Sequence, residues 1–141
     1  MIREILKMGD ERLLRVAKPV PEEMFDTPQL WQLLDDMLQT MEHAGGVGLA
    51  APQVDIRKQI VVIDVEDGNQ YVLINPVIEE MSGSQTGQEG CLSVPGKAGL
   101  VTRPSHVKVR ALNEKMEEFV LEADDFLARA ICHECDHLHG H

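Results

Sequence analysis

The chain has 141 residues, 43% of them hydrophobic and 26% charged, with a formal net charge of −11. That length suits one domain with its own core, and the acid excess excludes tight sequence-independent binding to nucleic acid or to an anionic membrane surface. No apolar run reaches the ~20 residues that a spanning helix needs. The amino terminus has no signal core and contains acids, unlike a transit peptide, so a soluble intracellular protein is expected. Cys91, Cys132 and Cys135, an odd and small set, suggest free thiols rather than a disulfide framework.

Residues 2–20 mix apolar and basic positions without a clean period, and Lys18-Pro19-Val20-Pro21 reads as extended or turning. This segment is expected to wrap over the domain. From 28 to 43, Leu30, Leu33, Leu34, Met37, Leu38 and Met41 recur at helical spacing, the pattern of a core-facing stripe. Thr27 is the expected cap, Pro28 suits the first turn, and Gly45-Gly46 ends the helix. The next run, Gly46-Val47-Gly48-Leu49-Ala50-Ala51-Pro52-Gln53, is small, apolar and loop-like. It lacks both the third glycine and the Gly-Lys-Ser/Thr ending of phosphate loops, which excludes nucleotide binding.

Gln59–Val65 reads as a strand, Asp67-Gly68-Asn69 as a turn, and Gln70–Ile74 as a second strand. Asn75-Pro76 is expected to break it before another strand over Val77–Met81, and Ser82–Gln88 reads as flexible. Glu89-Gly90-Cys91-Leu92-Ser93-Val94-Pro95-Gly96 is a turn-rich stretch around one cysteine. His106–Leu112 and Glu118–Ala123 form a hairpin around Asn113-Glu114-Lys115, and Asp124 or Asp125 caps the last helix. The expected class is α+β: antiparallel or mixed sheets around a central C-terminal helix, with a second amphipathic helix near the N-terminus.

That last helix carries His133-Glu134-x-x-His137. Two imidazoles four residues apart share a helix face and can reach one metal ion, with a carboxylate beside them to move protons. Phe126, Ala130, His133 and His137 follow helical spacing, so the histidines continue the stripe expected to be buried. A catalytic metal takes three protein ligands and keeps one position open. Cys91, His139, His141 or a carboxylate could supply the third. His139 sits on another face, His141 lies at the chain end beyond Gly140, and Cys91 can approach from outside the helix. Cys132 and Cys135 make a Cys-x-x-Cys, but no second pair exists and Asp136 follows, which excludes haem attachment.

Taken together, Gly46–Gln53, Glu89-Gly90-Cys91-Leu92-Ser93 and His133-Glu134-Cys135-Asp136-His137 resemble, in order and spacing, the three motifs of peptide deformylases. The likeness covers nearly the whole chain, and the compact spacing is similar to the bacterial type I form. It implies a hydrolase that removes the N-formyl group from the first methionine of newly synthesised polypeptides. It implies a metal held by Cys91, His133 and His137, with Glu134 as general acid/base and Gln53 and the Leu92 N–H facing the developing oxyanion. Iron(II) is the implied ion, with zinc, nickel or cobalt able to replace it. Val47, Gly48, Gly90, Leu92 and Ala130, beside His133, are the expected substrate pocket, and Glu89 is expected to pair with Arg103. Residues 1–141 are expected to form one cytoplasmic metallohydrolase domain that acts on N-formyl-methionyl nascent peptides near the ribosome. Two departures stand out: Cys132 replaces a common glutamine, and the family's usual C-terminal extension is missing after His141.

Overall fold

Helix α1 (Pro28–His43) forms where the apolar period places it, with Leu30, Leu33, Leu34, Met37 and Met41 buried. The Thr27 hydroxyl accepts the Leu30 N–H at 3.2 Å, satisfying one of the donors left free in a first turn. After Ala44 the chain turns on Gly45 at φ +71°, a left-handed conformation that glycine adopts without strain. The computed structural model describes residues 1–140, with residues 95–98 described by their backbone only. His141, considered above as a ligand, lies outside the described residues.

Seven strands follow: β1 (Gly48–Ala50), β2 (Ile60–Ile63), β3 (Tyr71–Ser82), β4 (Gln85–Cys91), β5 (Val94–Arg103), β6 (His106–Leu112) and β7 (Glu118–Asp124). They build a five-stranded sheet in the order β1-β2-β3-β6-β7 and a separate two-stranded sheet, β4-β5. Both are antiparallel, and the one parallel pairing among the described residues is the isolated bridge Lys18–Lys58. The mixed alternative therefore gives way to antiparallel sheets.

The chain closes with helix α2 (Asp125–Leu138). Strand β2 is buried along its whole length because the sheet has a helix on each side. Val61 and Ile63 join the core around Ala128, Ile131 and Leu138 of α2. Ile60 and Val62 join the core around Leu30, Met37 and Met41 of α1. This is the period-two alternation of a strand, applied to two apolar cores. The same alternation in β1 sends Leu49 toward α1 and Ala50 toward α2.

The N-terminal segment wraps the domain as expected. Its Leu6 N–H donates to the Gln53 carbonyl at 2.7 Å, Met8 N–H to the Ser93 carbonyl at 2.8 Å, and Ala17 N–H to the Leu138 carbonyl at 2.8 Å. Elsewhere the structure corrects the sequence reading. Asn75-Pro76 does not break the strand: β3 runs through it with a register shift between Ile74 and Val77. Asn75 takes φ +52°, which asparagine tolerates, while its side chain bonds the Val20 N–H and C=O at 2.7 and 3.2 Å. Residues 85–88 are not a flexible tract but the start of β4, whose partner β5 was not anticipated. Asp124 stands at the α2 N-cap without a side-chain capping bond; its carboxylate is 2.7 Å from His106 Nδ1 instead. Phe126 leaves the expected buried stripe and is 51% exposed.

Candidate metal centre

Three separate pieces of chain converge on one face of α2. The β4-β5 hairpin pairs Cys91 with Val94 at its tip, which holds the thiol over the helix. His133 and His137, one turn apart, stack edge to face with ring centroids 5.1 Å apart. Cys91 Sγ lies 3.4 Å from His137 Nε2. One donor atom from each of Cys91, His133 and His137 lies within 4.8 Å of the other two. His139, the other described histidine considered, is exposed beyond the helix end.

The donor set fits a divalent cation. Glu89 takes His133 Nδ1, which fixes the ring and leaves Nε2 for an ion. Among the described residues, the buried side-chain atoms without a hydrogen-bond partner are His133 Nε2, Glu134 Oε1 and His137 Nδ1. Such orphans are rare inside proteins, and all three belong to this motif. Burial, then the neighbouring His133, pull His137 down to about 4, so its ring is neutral near pH 7 and able to ligate. Two neutral imidazoles and one thiolate around a divalent ion leave a net charge of +1.

Glu134 is buried beside these ligands, and burial followed by the charge of Glu89 pushes its carboxyl up to about 8 in the metal-free chain. It faces Gly48 of β1, where an added Cβ would collide with Glu134 Oε2. Gly48→Ala is therefore expected to displace the carboxylate and lower kcat by about 10–100-fold, since small misplacements of reacting groups carry losses of that order. Unchanged kcat in steady-state assays would count against that contact.

Gln53 comes from the short 3-10 turn Ala51–Val54 after β1 and is 1% exposed. Its Oε1 accepts the Ala50 N–H at 2.9 Å, while Nε2 lies 3.1 Å from Ser93 Oγ and 3.7 Å from Cys91 Sγ. A cleft of about 550 Å³ opens over this group, lined by Gln53, Cys91, His133 and Glu134. Val47, Gly48, Gly90, Leu92 and Ala130 complete the walls that the sequence reading assigned, and His137 is buried and not part of the lining. Ile5, Lys7, Phe126 and Arg129 also line the cleft and were not anticipated.

Arg129 is the largest omission. Only 4% exposed, it donates Nη1 to Glu89 Oε2 at 3.0 Å and to the Val101 carbonyl at 3.1 Å. A cation four residues before His133, and so on the same helix face as that ligand, was the signal available for it. Arg103 forms the expected pair with Glu89 through Nη2 at 2.7 Å and also reaches Asp136 at 2.6 Å. Glu89 thus gathers His133, Arg103 and Arg129 around one carboxylate and ties the hairpin to α2. Burial alone would raise its pKa, but hydrogen bonds from Arg103 and His133, with their charges, bring it down to about 2.

Glu89→Gln would leave the buried Arg129 without its carboxylate partner and Arg103 with Asp136 alone. The expected cost is roughly 3–5 kcal/mol, read as a lower midpoint in denaturant melts. The wild-type contribution should be complete above about 4.5 and disappear as pH falls through about 2. An acid-unfolding curve identical for both proteins would contradict it.

The family model for polypeptide deformylase matches residues 2–141. The chain belongs to the polypeptide deformylase family. The peptide deformylase of Agathobacter rectalis is 57% identical over 140 residues, covering 99% of this chain and 86% of its own. Peptide deformylase 1 of Clostridium acetobutylicum is 57% identical over 139 residues, covering 99% and 90%. A class I type b peptide deformylase from Acinetobacter baumannii superposes with a TM-score of 0.98 at 39% identity, covering 100% and 96% of the two chains. Another structure of that deformylase, bound to Met-Ala-Ser, gives 0.96 at 37% identity over 99% and 94%. As a peptide deformylase, the chain is a hydrolase that removes the N-formyl group from newly made polypeptides. The thiols of Cys132 and Cys135 have no place in its cleft. Both are buried in the core, and burial pushes Cys135 up to about 12, as suits inert packing residues.

Proposed function

We propose that residues 1–141 work as one metallohydrolase domain in which Cys91, His133 and His137 hold a single divalent ion, iron(II) by preference, with zinc, nickel or cobalt able to fill the same donors. The observation that carries this reading is that three ligand atoms lie within 4.8 Å of one another, with an unpaired carboxylate oxygen of the same helix, beside a cleft lined by Cys91, His133 and Glu134. When bound, the ion supplies a Lewis acid of the kind that brings the pKa of water from ~15.7 toward ~7.

The chain's own groups do the rest. Glu134 takes the proton of the attacking water and returns it to the departing amine as the C–N bond breaks. Gln53 Nε2 and the Leu92 N–H donate to the formyl oxygen as it becomes negative, and one such donor is worth roughly 3 kcal/mol of barrier. Formate and a free amino terminus leave.

Val47, Gly48, Gly90, Leu92 and Ala130 receive the methionine side chain, which an apolar wall selects without directional bonds. The Met-Ala-Ser peptide held by the Acinetobacter baumannii relative is the product such a cleft would release. Substrates are N-formyl-methionyl nascent chains, met in the cytoplasm close to the ribosome. Among the described residues no helix is long and apolar enough to cross a membrane.

The test is formate release from formyl-Met-Ala-Ser by anaerobically purified protein loaded with iron, nickel or cobalt. Rapid release from the formylated peptide, and none from internal peptide bonds, is expected. Metal binding without formate would indicate an inactive relative, and cleavage of internal bonds would indicate a peptidase; either overturns the reading.

A further inference from the structure

Gln53 is useful as an oxyanion donor only if one amide proton points at the substrate. A primary amide can turn about its last torsion and can present oxygen instead of nitrogen, because that torsion is broad. Here both ends are engaged. Oε1 accepts the Ala50 N–H at 2.9 Å, so the oxygen cannot exchange places with the nitrogen without setting two donors against each other. Nε2 is 3.1 Å from Ser93 Oγ. Its two N–H bonds diverge by the planar angle of an amide, so the one not used by Ser93 is directed elsewhere. On its other side Nε2 donates to Cys91 Sγ at 3.7 Å, so the second N–H is directed at the ligand side of the cleft.

Ser93 is itself held. It is 3% exposed, and its carbonyl accepts the Met8 N–H at 2.8 Å. Two residues earlier on the same N-terminal strap, the Leu6 N–H donates to the Gln53 carbonyl at 2.7 Å. One segment therefore sets the separation between the backbones of Gln53 and Ser93.

We propose that Ser93 is a positioning residue for deformylation, its hydroxyl fixing the Gln53 amide so that the second N–H is held on the Cys91 side of the cleft, where the reacting carbonyl binds. This rests on the reading of Gln53 as an oxyanion donor. It predicts a loss in kcat rather than in KM, because the amide is needed most as charge develops.

The experiment compares wild type, Ser93→Ala, Ser93→Thr, Gln53→Ala and the Ser93→Ala/Gln53→Ala double variant as full-length metal-loaded proteins on formyl-Met-Ala-Ser. Gln53→Ala is expected to lose roughly 100–1,000-fold in kcat. Ser93→Ala is expected to lose about 10-fold, part of that donor's effect, with KM within about 2-fold, and Ser93→Thr to recover most of the loss. In the Gln53→Ala background the Ser93 change should have no further effect, since residues that act through one another are not additive. Losses that multiply in the double variant overturn the proposal while leaving the Gln53 reading intact. A fully active Gln53→Ala enzyme overturns that reading and this one with it.

A second readout is independent of turnover. In zinc-loaded protein the Gln53 side-chain NH₂ resonances, assigned by their loss in Gln53→Ala, should exchange slowly with solvent and faster in Ser93→Ala. A wild-type amide exchanging at the rate of a free glutamine overturns the proposal, even if a Ser93 variant fails to fold.

Discussion

Glu134→Gln is expected to lower kcat for formate release by about 10²–10⁴-fold, the range that a positioned acid/base supplies, while the protein still binds one divalent ion. The amide matches the carboxylate in shape but cannot take a proton from water and return it to the leaving amine. Glu134 is not in the ligand trio of Cys91, His133 and His137, so metal content measured by elemental analysis should stay near one per chain. The same replacement should alter the pH dependence of the metal-free protein in a defined direction. Burial and Glu89 raise Glu134 from 4.5 to about 8. Between those values the folded chain keeps a proton that the unfolded chain has released, so stability falls as pH rises through that window. Glu134→Gln removes this slope and should melt no lower than wild type near pH 8. Loss of metal together with activity, or an unchanged kcat, would contradict the assigned role.

The sequence exposed the chemistry better than the architecture that holds it. His133, Glu134 and His137 were legible because a helix turns chain spacing into geometry, and the apolar period of α1 was legible for the same reason. Cys91 and Gln53 were not reachable in that way. Cys91 ends strand β4 and Gln53 sits in the 3-10 turn after β1, positions that depend on long-range pairing; Cys91 was one of several possible third ligands, and the ordered likeness to a family singled it out and added Gln53. Strand β5 escaped because Val94–Arg103 opens with Pro95, Gly96 and Gly99 among its first residues and lacks the unbroken β-branched run that marked β2. It is held by pairing with β4 and by Arg129, which is bonded to the Val101 carbonyl. Phe126 shows the opposite error. Its spacing was right for the buried stripe, but the stripe opens into the cleft at that end of the helix, and periodicity cannot distinguish a core from the wall of a pocket.

The second large effect concerns the ligand that the helix does not supply. Cys91→Ser is expected to weaken zinc or cobalt binding by at least ~100-fold, beyond the ~10–100-fold usual for losing a residue that merely orients a ligand. Serine is nearly the same size, so the hairpin tip can keep its pairing with Val94, but a neutral hydroxyl replaces an anionic sulfur. Proton release tests the cause. Burial raises the Cys91 thiol above its ordinary range, so the metal-free site is protonated near pH 7. Binding as a thiolate must then expel that proton, and affinity rises with pH until the thiol ionises unaided. Calorimetric titration in buffers of different ionisation enthalpy should therefore show about one more proton released by wild type than by Cys91→Ser. Equal proton release and equal affinity would remove Cys91 from the site and leave the two histidines of α2 to find their third partner elsewhere.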